Sequence, residues 1–304
     1  MPRLTLRQLP KIYSFAGIHP WRVVGSACRF IYSAVQDIGD ESTIRFRAPL
    51  CGMPQPGIFW GVCDAWRAAA ARLLAWPMIG VVVPVHNEER LLARCIASIQ
   101  QAARCTRLLA EPVEIVVVLD ACTDTSQAIA SRCNVTVLSS DLRNVGAARA
   151  LGAAHCLARQ ARWLAFTDAD TEVAPDWLAG QLEQGSDAVC GTVHVADWED
   201  HAHATRQHFA ARYTDLDGHR HVHGANLGVS AAAYRLAGGF LPLACSEDVA
   251  LVTALQQCGA SIAWSAAPRV MTSARKDFRC AGGFGAALLQ MQAEGGLLAG
   301  GAPC

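Results

Sequence analysis

The sequence lacks an excess of charge of either sign and lacks paired cysteines. Its 26 Lys and Arg balance 26 Asp and Glu, so bulk charge gives no reason to expect a nucleic-acid partner. Its 13 cysteines form no Cys-x-x-Cys pair, and an odd, scattered set argues against both a disulfide framework and a zinc site. We therefore expect reduced thiols that pack as small apolar side chains in a cytoplasmic protein.

Long apolar runs and two common nucleotide-binding motifs are missing as well. The most apolar region, residues 65–85, is interrupted by Arg67, Arg72 and Pro77, so we expect no integral membrane segment. No G-x-G-x-x-G follows the first strong strand pattern, which argues against a dinucleotide-binding domain. No G-x-x-x-x-G-K-[ST] occurs at all, which excludes a P-loop NTPase by pattern.

The character of the chain changes at Met78. Residues 1–77 give weak secondary-structure signals, whereas Met78 opens the strong pattern MIGVVVPVHNEE. Two explanations stay open for the first segment. Either residues 1–77 are an accessory N-terminal extension, or the start is misassigned and the protein begins at Met78.

Strand and helix patterns alternate after this point. Apolar runs predict buried strands at Ile79–Val85, Val113–Leu119, Val135–Leu138 and Trp163–Thr167. Helical patterns lie between them at Glu89–Leu109, Asp124–Arg132 and Val145–Arg159. This alternation indicates βαβ units, and hence an α/β fold with a mostly parallel sheet flanked by helices. Ligands of such sheets lie beyond the carboxyl ends of the strands.

Acidic residues follow two of these strands. Asp168 and Asp170 come directly after the apolar run 163–167, and Asp120 follows the second strand. Because alternate residues of an extended segment point the same way, both carboxylates can face one point beyond the sheet. Mg²⁺ or Mn²⁺ would satisfy them and leave coordination positions for phosphate oxygens. The alternative is that both acids are turn residues before a helix opened by Pro175.

Six motifs, in order, resemble the family 2 glycosyltransferases of the GT-A fold. They are PVHNEE (84–89), LDACTDTS (119–126), AARALG (147–152), FTDADTEVAPDWL (166–178), GANLGVS (224–230) and SEDVAL (246–251). The resemblance covers about residues 78–280. It implies a GT-A domain over 78–304, with a Rossmann-like donor half at about 78–170 and an acceptor half at about 171–280. In this family a divalent cation bridges the diphosphate of a nucleotide sugar to the D-x-D acids.

The resemblance also implies which residues contact the donor and the metal. The matching positions are Pro84, His86, Glu88, Asp120, Arg149, Asp168 and Asn226 for the donor, and Asp168 and Asp170 for the metal. His86 replaces a more usual tyrosine, although an imidazole also stacks on a base or ribose. Leu119 replaces the first of two aspartates on the second strand, so the base stays open. For Asn226, a tight connection between strands is an equal alternative to a bond with a sugar hydroxyl.

Glu247 and Asp248 match the family's E-D pair, and the resemblance makes them the catalytic candidates. The aspartate of that pair resembles a general base, which the reaction needs because an acceptor hydroxyl must lose its proton as it attacks. A single displacement with one base implies inversion at the anomeric carbon. The alternative is that Ser246-Glu247-Asp248 only starts a helix, where acids are favoured by the helix dipole.

Two further groups of residues carry weaker signals. Seven histidines fall between residues 194 and 223 without an H-E-x-x-H motif, and His221 and His223 are the best candidates to lie near substrate. The basic run 275–279 leads into glycines, and it is either a lid over the diphosphate or an ordinary solvated segment.

Together these features predict a metal-dependent transferase that moves one sugar from a nucleoside diphosphate donor to an unknown hydroxyl of a glycan, lipid or small molecule. The Q-x-x-R-W motif of processive polysaccharide synthases is absent, which favours a single addition. The alternatives are a retaining transferase, a sugar nucleotidyltransferase of similar fold, or a non-catalytic protein that binds nucleotide sugars.

Overall fold

The structure is a computed structural model that describes residues 78–195, 197–198, 201–243, 245–276, 284–286 and 288–289. The question of whether residues 1–77 are an extension or a misassigned start falls outside the described residues. So does most of the basic run 275–279, of which residues 275 and 276 are described.

Strands and helices alternate through the first half of the domain. The strands are β1 Met78–Val85, β2 Val113–Asp120, β3 Thr136–Ser140, β4 Ala161–Phe166, β5 Thr171–Val173, β6 Ala188–Val195, β7 Leu227–Ser230 and β8 Ile262–Thr272. The helices are α1 Leu92–Ala102, α2 Ser126–Arg132, α3 Val145–Ala158, α4 Trp177–Leu182, α5 His203–Arg212, α6 Ala231–Leu236 and α7 Glu247–Gln257. Short 3₁₀ turns cover Thr106–Leu108 and Gly224–Asn226.

These strands form one sheet in the order β3-β2-β1-β4-β7-β6-β8-β5. The part of the sheet formed by β1 to β4 is parallel as predicted, because β1 pairs in parallel with β2 and β4, and β2 pairs in parallel with β3. The rest of the sheet is mixed. β7 runs antiparallel to β4 and β6, whereas β6 and β8 are parallel to each other. The carboxyl ends of β1, β2, β4, β6 and β8 therefore share one edge.

Helices cover both faces of the central strand β1, which explains its continuous apolar run. Val81 and Val83 pack into the core that includes α1, and Val82 packs into the core on the α3 side. Gly152 allows the close approach of α3, because a Cβ at this position would lie 2.4 Å from Cγ1 of Val82. This close contact holds α3 against β1, and the helix begins beside the edge where the strands end.

The observed elements differ from the predicted ones mainly at their ends. The helix predicted over Glu89–Leu109 is shorter, because residues 86–91 form a turn in which Asn87 has a φ of 55°. The helix expected to open at Pro175 begins at Trp177. Among the described helices, none has both the length and the apolar character needed to cross a membrane.

Candidate functional site

A cavity of about 770 Å³ opens at the edge where the parallel strands end. Nine of the ten residues proposed from the sequence line it, namely Pro84, His86, Glu88, Asp120, Arg149, Asp168, Asp170, Glu247 and Asp248. The N-terminus of α7 and residues 222–225 form another part of its wall. The fold thus brings the strand-end acids and the E-D pair, which are far apart in sequence, into one cavity.

Arg149 on α3 connects the two sides of this cavity. Its side chain is only 3% exposed, and Nη2 donates to Oδ1 of Asp168 at 2.5 Å. Nη1 donates to Oε1 of Glu247, the first residue of α7, whose side chain is 6% exposed. Gly224 leaves room for the guanidinium, because a Cβ there would lie 2.4 Å from Nη2. The buried guanidinium of Arg149 therefore joins Asp168, which follows β4, to α7, the helix that carries Asp248.

A second arginine lies beside the other acids, in a group that we call the acidic corner: Glu88, Asp168, Asp170 and Arg275. Arg275 follows β8, and its guanidinium donates to both carboxylate oxygens of Glu88, with Nη1 at 2.6 Å from Oε2. Its Nη2 is 3.5 Å from Oδ2 of Asp170. Burial away from water, together with the charge of Asp168, raises the pKa of Asp170 to about 7, although Arg275 opposes the rise.

The acidic corner fits a divalent cation by its chemistry. Asp168 and Asp170 supply carboxylate oxygens, the ligands that Mg²⁺ and Mn²⁺ prefer. The second carboxylate oxygen of Asp168, Oδ2, makes no hydrogen bond to any described residue. Burial is the main cause of the raised pKa of Asp170, and the charges of Asp168 and Glu88 add to it against Arg275, so a cation bound here would offset the cost of ionising Asp170. Two carboxylates leave several of six coordination positions for phosphate oxygens and water.

Asp120 and His86 form the wall at the ends of β1 and β2. Oδ1 of Asp120 accepts hydrogen bonds from the backbone N–H groups of Leu142 and Arg143, both at 3.0 Å, and Oδ2 accepts from Asn144 at 2.6 Å. Nδ1 of His86 donates to the Asp120 carbonyl oxygen at 2.6 Å. The Asp120 carboxylate therefore organises the loop before α3, and the donor contact expected of it stays a prediction.

The two acids of the E-D pair do different things. Glu247 is buried and paired with Arg149, a placement that suits a positioning residue, and the catalytic role expected from the sequence stays a prediction. Asp248 lines the cavity, where Oδ2 accepts from the Gly224 N–H at 2.7 Å and Oδ1 from the Val249 N–H at 2.8 Å. Ser246 makes no side-chain capping bond to α7. The motif does start a helix, and it also aims one carboxylate into the cavity.

Asn226 lies behind the cavity wall rather than in it. It is fully buried, and its Oδ1 accepts from Nε1 of Trp177 at 2.8 Å. Its Nδ2 donates to the carbonyl oxygens of Thr192 and Pro268, each at 2.8 Å. The amide thus joins β6, β8 and α4, an arrangement that favours the structural alternative, and the bond to a sugar hydroxyl stays a prediction.

Sequence reasoning gave no role to two residues beside the site. Tyr213 lies in the loop after α5 and bonds His223, which lines the cavity. Asn144 accepts from the Ala147 N–H at 2.9 Å and so caps α3 at its N-terminus. The capping residue carries a recognisable local signal, since asparagine is favoured at this position directly before a helical pattern. Tyr213 carries no such signal, because its contacts come from distant strands.

The model of the family described as "Glycosyl transferase family 2" matches residues 80–235, just over half of the chain. The chain belongs to glycosyl transferase family 2. Among curated proteins, no sequence matches it significantly.

Two similar solved structures show the fold. TarS 1–349 from S. aureus, in complex with UDP-GlcNAc, superposes with a TM-score of 0.51 at 17% identity over 66% of this chain and 60% of that one. The mannosyltransferase PcManGT from Pyrobaculum calidifontis, in complex with GDP-Man and Mn²⁺, gives a TM-score of 0.50 at 20% identity over 71% of this chain and 65% of that one. This chain thus spans less than two thirds of either neighbour. The eight-stranded mixed sheet flanked by helices is the GT-A fold.

The raised pKa of Asp170 predicts an unusual dependence of stability on pH. Between about pH 4 and pH 7 the folded protein holds a proton that the unfolded chain releases, so stability falls as pH rises through this window. Asp170→Asn removes this cost. In the presence of chelator, we expect the variant to raise the free energy of unfolding in urea by about 1–3 kcal/mol at pH 8, with the gain lost near pH 4.

Asp187→Asn is the matched control, because the exposed Asp187 carboxylate accepts hydrogen bonds from Ser261 N and Oγ that lower its pKa. That substitution is expected to lower stability at pH 8 rather than raise it. A destabilised Asp170→Asn protein at pH 8, or a gain that stays constant with pH, would contradict the described environment of Asp170.

Proposed function

We propose that this chain transfers one sugar from a nucleoside diphosphate sugar to an acceptor hydroxyl, with the help of a divalent cation and with inversion at the anomeric carbon. The observation that carries the proposal is the cavity shared by the Asp168–Asp170 pair and Asp248, in which the Arg149 guanidinium joins Asp168 to Glu247, the residue before Asp248. Such a displacement requires a site for the cation and a base, and both would lie in this one cavity.

The donor would lie along the strand ends. Asp168 and Asp170 would hold the cation, which when bound neutralises negative charge on the departing diphosphate. Pro84 and His86 would flank the nucleoside, since Nδ1 of His86 is used by Asp120 and its ring face and Nε2 remain for a base or ribose. The complexes of TarS with UDP-GlcNAc and of PcManGT with GDP-Man and Mn²⁺ support a donor of this chemical class.

Asp248 would act as the general base. Two backbone N–H groups hold its carboxylate in one orientation, and each oxygen keeps a second lone pair for the acceptor hydroxyl. The acceptor oxygen attacks the anomeric carbon as its proton passes to Asp248, and the diphosphate leaves on the opposite face. Glu247 and Arg149 contribute indirectly, because they fix the start of α7 relative to the acidic corner.

The first test is donor binding. The full chain is incubated with a panel of UDP- and GDP-sugars, with Mn²⁺ or with chelator, and its thermal unfolding is followed. A donor present at a hundred times its dissociation constant adds about 2.7 kcal/mol of stability. We expect such a shift with Mn²⁺ for at least one donor, and its loss with chelator or in Asp168→Asn. Stabilisation that is the same with chelator would contradict the metal-dependent part of the proposal.

The second test separates an enzyme from a protein that only binds nucleotide sugars. Asp248→Asn keeps the size and shape of the side chain and, through its single amide oxygen, one of the two contacts with backbone N–H groups, but it removes the base. We expect donor affinity within about threefold of the parent chain and a loss of donor hydrolysis, or of transfer once an acceptor is known, of about 10²- to 10⁴-fold. The control is Asp187→Asn, a substitution at the exposed residue directly before β6, far from Asp248 in the sequence. Unchanged turnover in Asp248→Asn would remove this residue from its proposed role.

A further inference from the structure

Four ring side chains form a cluster beside the cavity that the proposed reaction does not yet use. The rings of Tyr213 and His221 stack at 4.2 Å with an interplanar angle of 6°, and His219 continues the stack at 5.4 Å from His221. His223 packs beside them and lines the cavity. The sequence had singled out His221 and His223 without giving either a function.

The hydrogen bonds of Tyr213 determine where His223 carries its proton. Tyr213 Oη accepts from the Val193 N–H at 2.8 Å and lies 3.0 Å from Nε2 of His223. If the tyrosine also accepted from His223, its own O–H would have no acceptor among the described residues, which is costly in a largely buried site. The hydroxyl therefore donates to Nε2. A neutral imidazole with an accepting Nε2 has its hydrogen on Nδ1.

The neutral form has independent support from the surroundings of His223. Burial, together with the neighbouring His221 and His219, lowers the pKa of His223 to about 3. No hydrogen bond joins its Nδ1 to any described residue, and this atom is not sealed from solvent within the protein. A fixed, uncharged N–H donor is therefore left for whatever occupies the cavity.

His223 directly precedes Gly224, which contacts both Asp248 and Arg149. The Gly224 N–H holds Oδ2 of Asp248 at 2.7 Å, and the same glycine packs against the Arg149 guanidinium that binds Asp168. In the proposed reaction, the sugar of the donor lies between the diphosphate at the acidic corner and the acceptor hydroxyl at Asp248. His223 therefore borders the space of that sugar.

We propose that His223 donates a hydrogen bond from Nδ1 to a hydroxyl oxygen of the donor sugar, and that Tyr213 is the positioning residue that fixes the required tautomer. This inference rests on the proposed function. An uncharged donor suits the position, because positive charge develops on the sugar ring during displacement and a cationic imidazole would repel it.

The tautomer is tested first, without any ligand. Long-range ¹H–¹⁵N NMR of the ¹⁵N-labelled chain at pH 7.5 should show His223 as a neutral ring protonated at Nδ1. In Tyr213→Phe, which keeps the stacking ring but loses the hydroxyl, the Nε2-protonated tautomer should become populated. An imidazolium, or a ring protonated at Nε2 in the parent chain, would overturn the inference.

The sugar contact is tested by a pair of substitutions. The amide nitrogen of His223→Asn lies near the position of Nδ1 and retains a donor, whereas His223→Phe retains a ring and has none. Calorimetry with the donor identified by the thermal screen, and with its nucleoside diphosphate alone, isolates the contribution of the sugar. We expect His223→Phe to weaken donor binding about three- to tenfold. Binding of the diphosphate alone should change less than twofold, and His223→Asn should regain part of the loss.

His203→Phe on the exposed side of α5 is the matched control, and it should leave both affinities unchanged. Equal weakening of donor and diphosphate binding, or no weakening in His223→Phe, would overturn the sugar contact while the proposed function stands. If the parent chain binds no donor at all, the proposed function and this contact fall together, and the NMR result alone is retained.

Discussion

The buried guanidinium of Arg149 is the interaction on which the geometry of the site depends. It contacts Asp168, which follows β4, and Glu247 at the start of α7, so one side chain sets the position of both elements at the cavity. Its Nε–H is buried without a partner among the described residues. Burying an N–H group without a partner costs free energy. The three charges of Arg149, Asp168 and Glu247 nevertheless depend on one another, because the loss of one would leave the rest uncompensated.

The carboxylates of the cavity differ in the groups that surround them. Around Arg149, two carboxylates share one cation, and around Asp248 two backbone N–H groups hold one carboxylate. At the acidic corner, Glu88 takes both terminal nitrogens of Arg275, and Asp170 is left at 3.5 Å from the nearer one. The Arg275 charge is thus directed mainly to Glu88, and Asp170 lies where the proposed cation and diphosphate would enter.

The sequence predicted the elements whose signals are local. Strands β1 to β4 are apolar runs because helices cover both faces of the sheet, and the acids after β2 and β4 reach the cavity because parallel strands end at one edge. The antiparallel part was not predicted, since β5 and β7 have only three and four residues and carry no periodic pattern.

The roles of individual side chains were harder to predict than their location. Glu247 is paired with Arg149, 98 positions away, and Asn226 bonds Trp177, 49 positions away, so neither role is visible in a local motif.

The most direct test of this account is urea unfolding of Arg149→Met beside the triple variant that adds Asp168→Asn and Glu247→Gln. The account predicts a loss of about 3–5 kcal/mol for the single variant, with most of it recovered in the triple variant. A loss of stability below about 1 kcal/mol in the single variant, or no recovery in the triple variant, would show that Arg149 does not hold Asp168 and the start of α7 together.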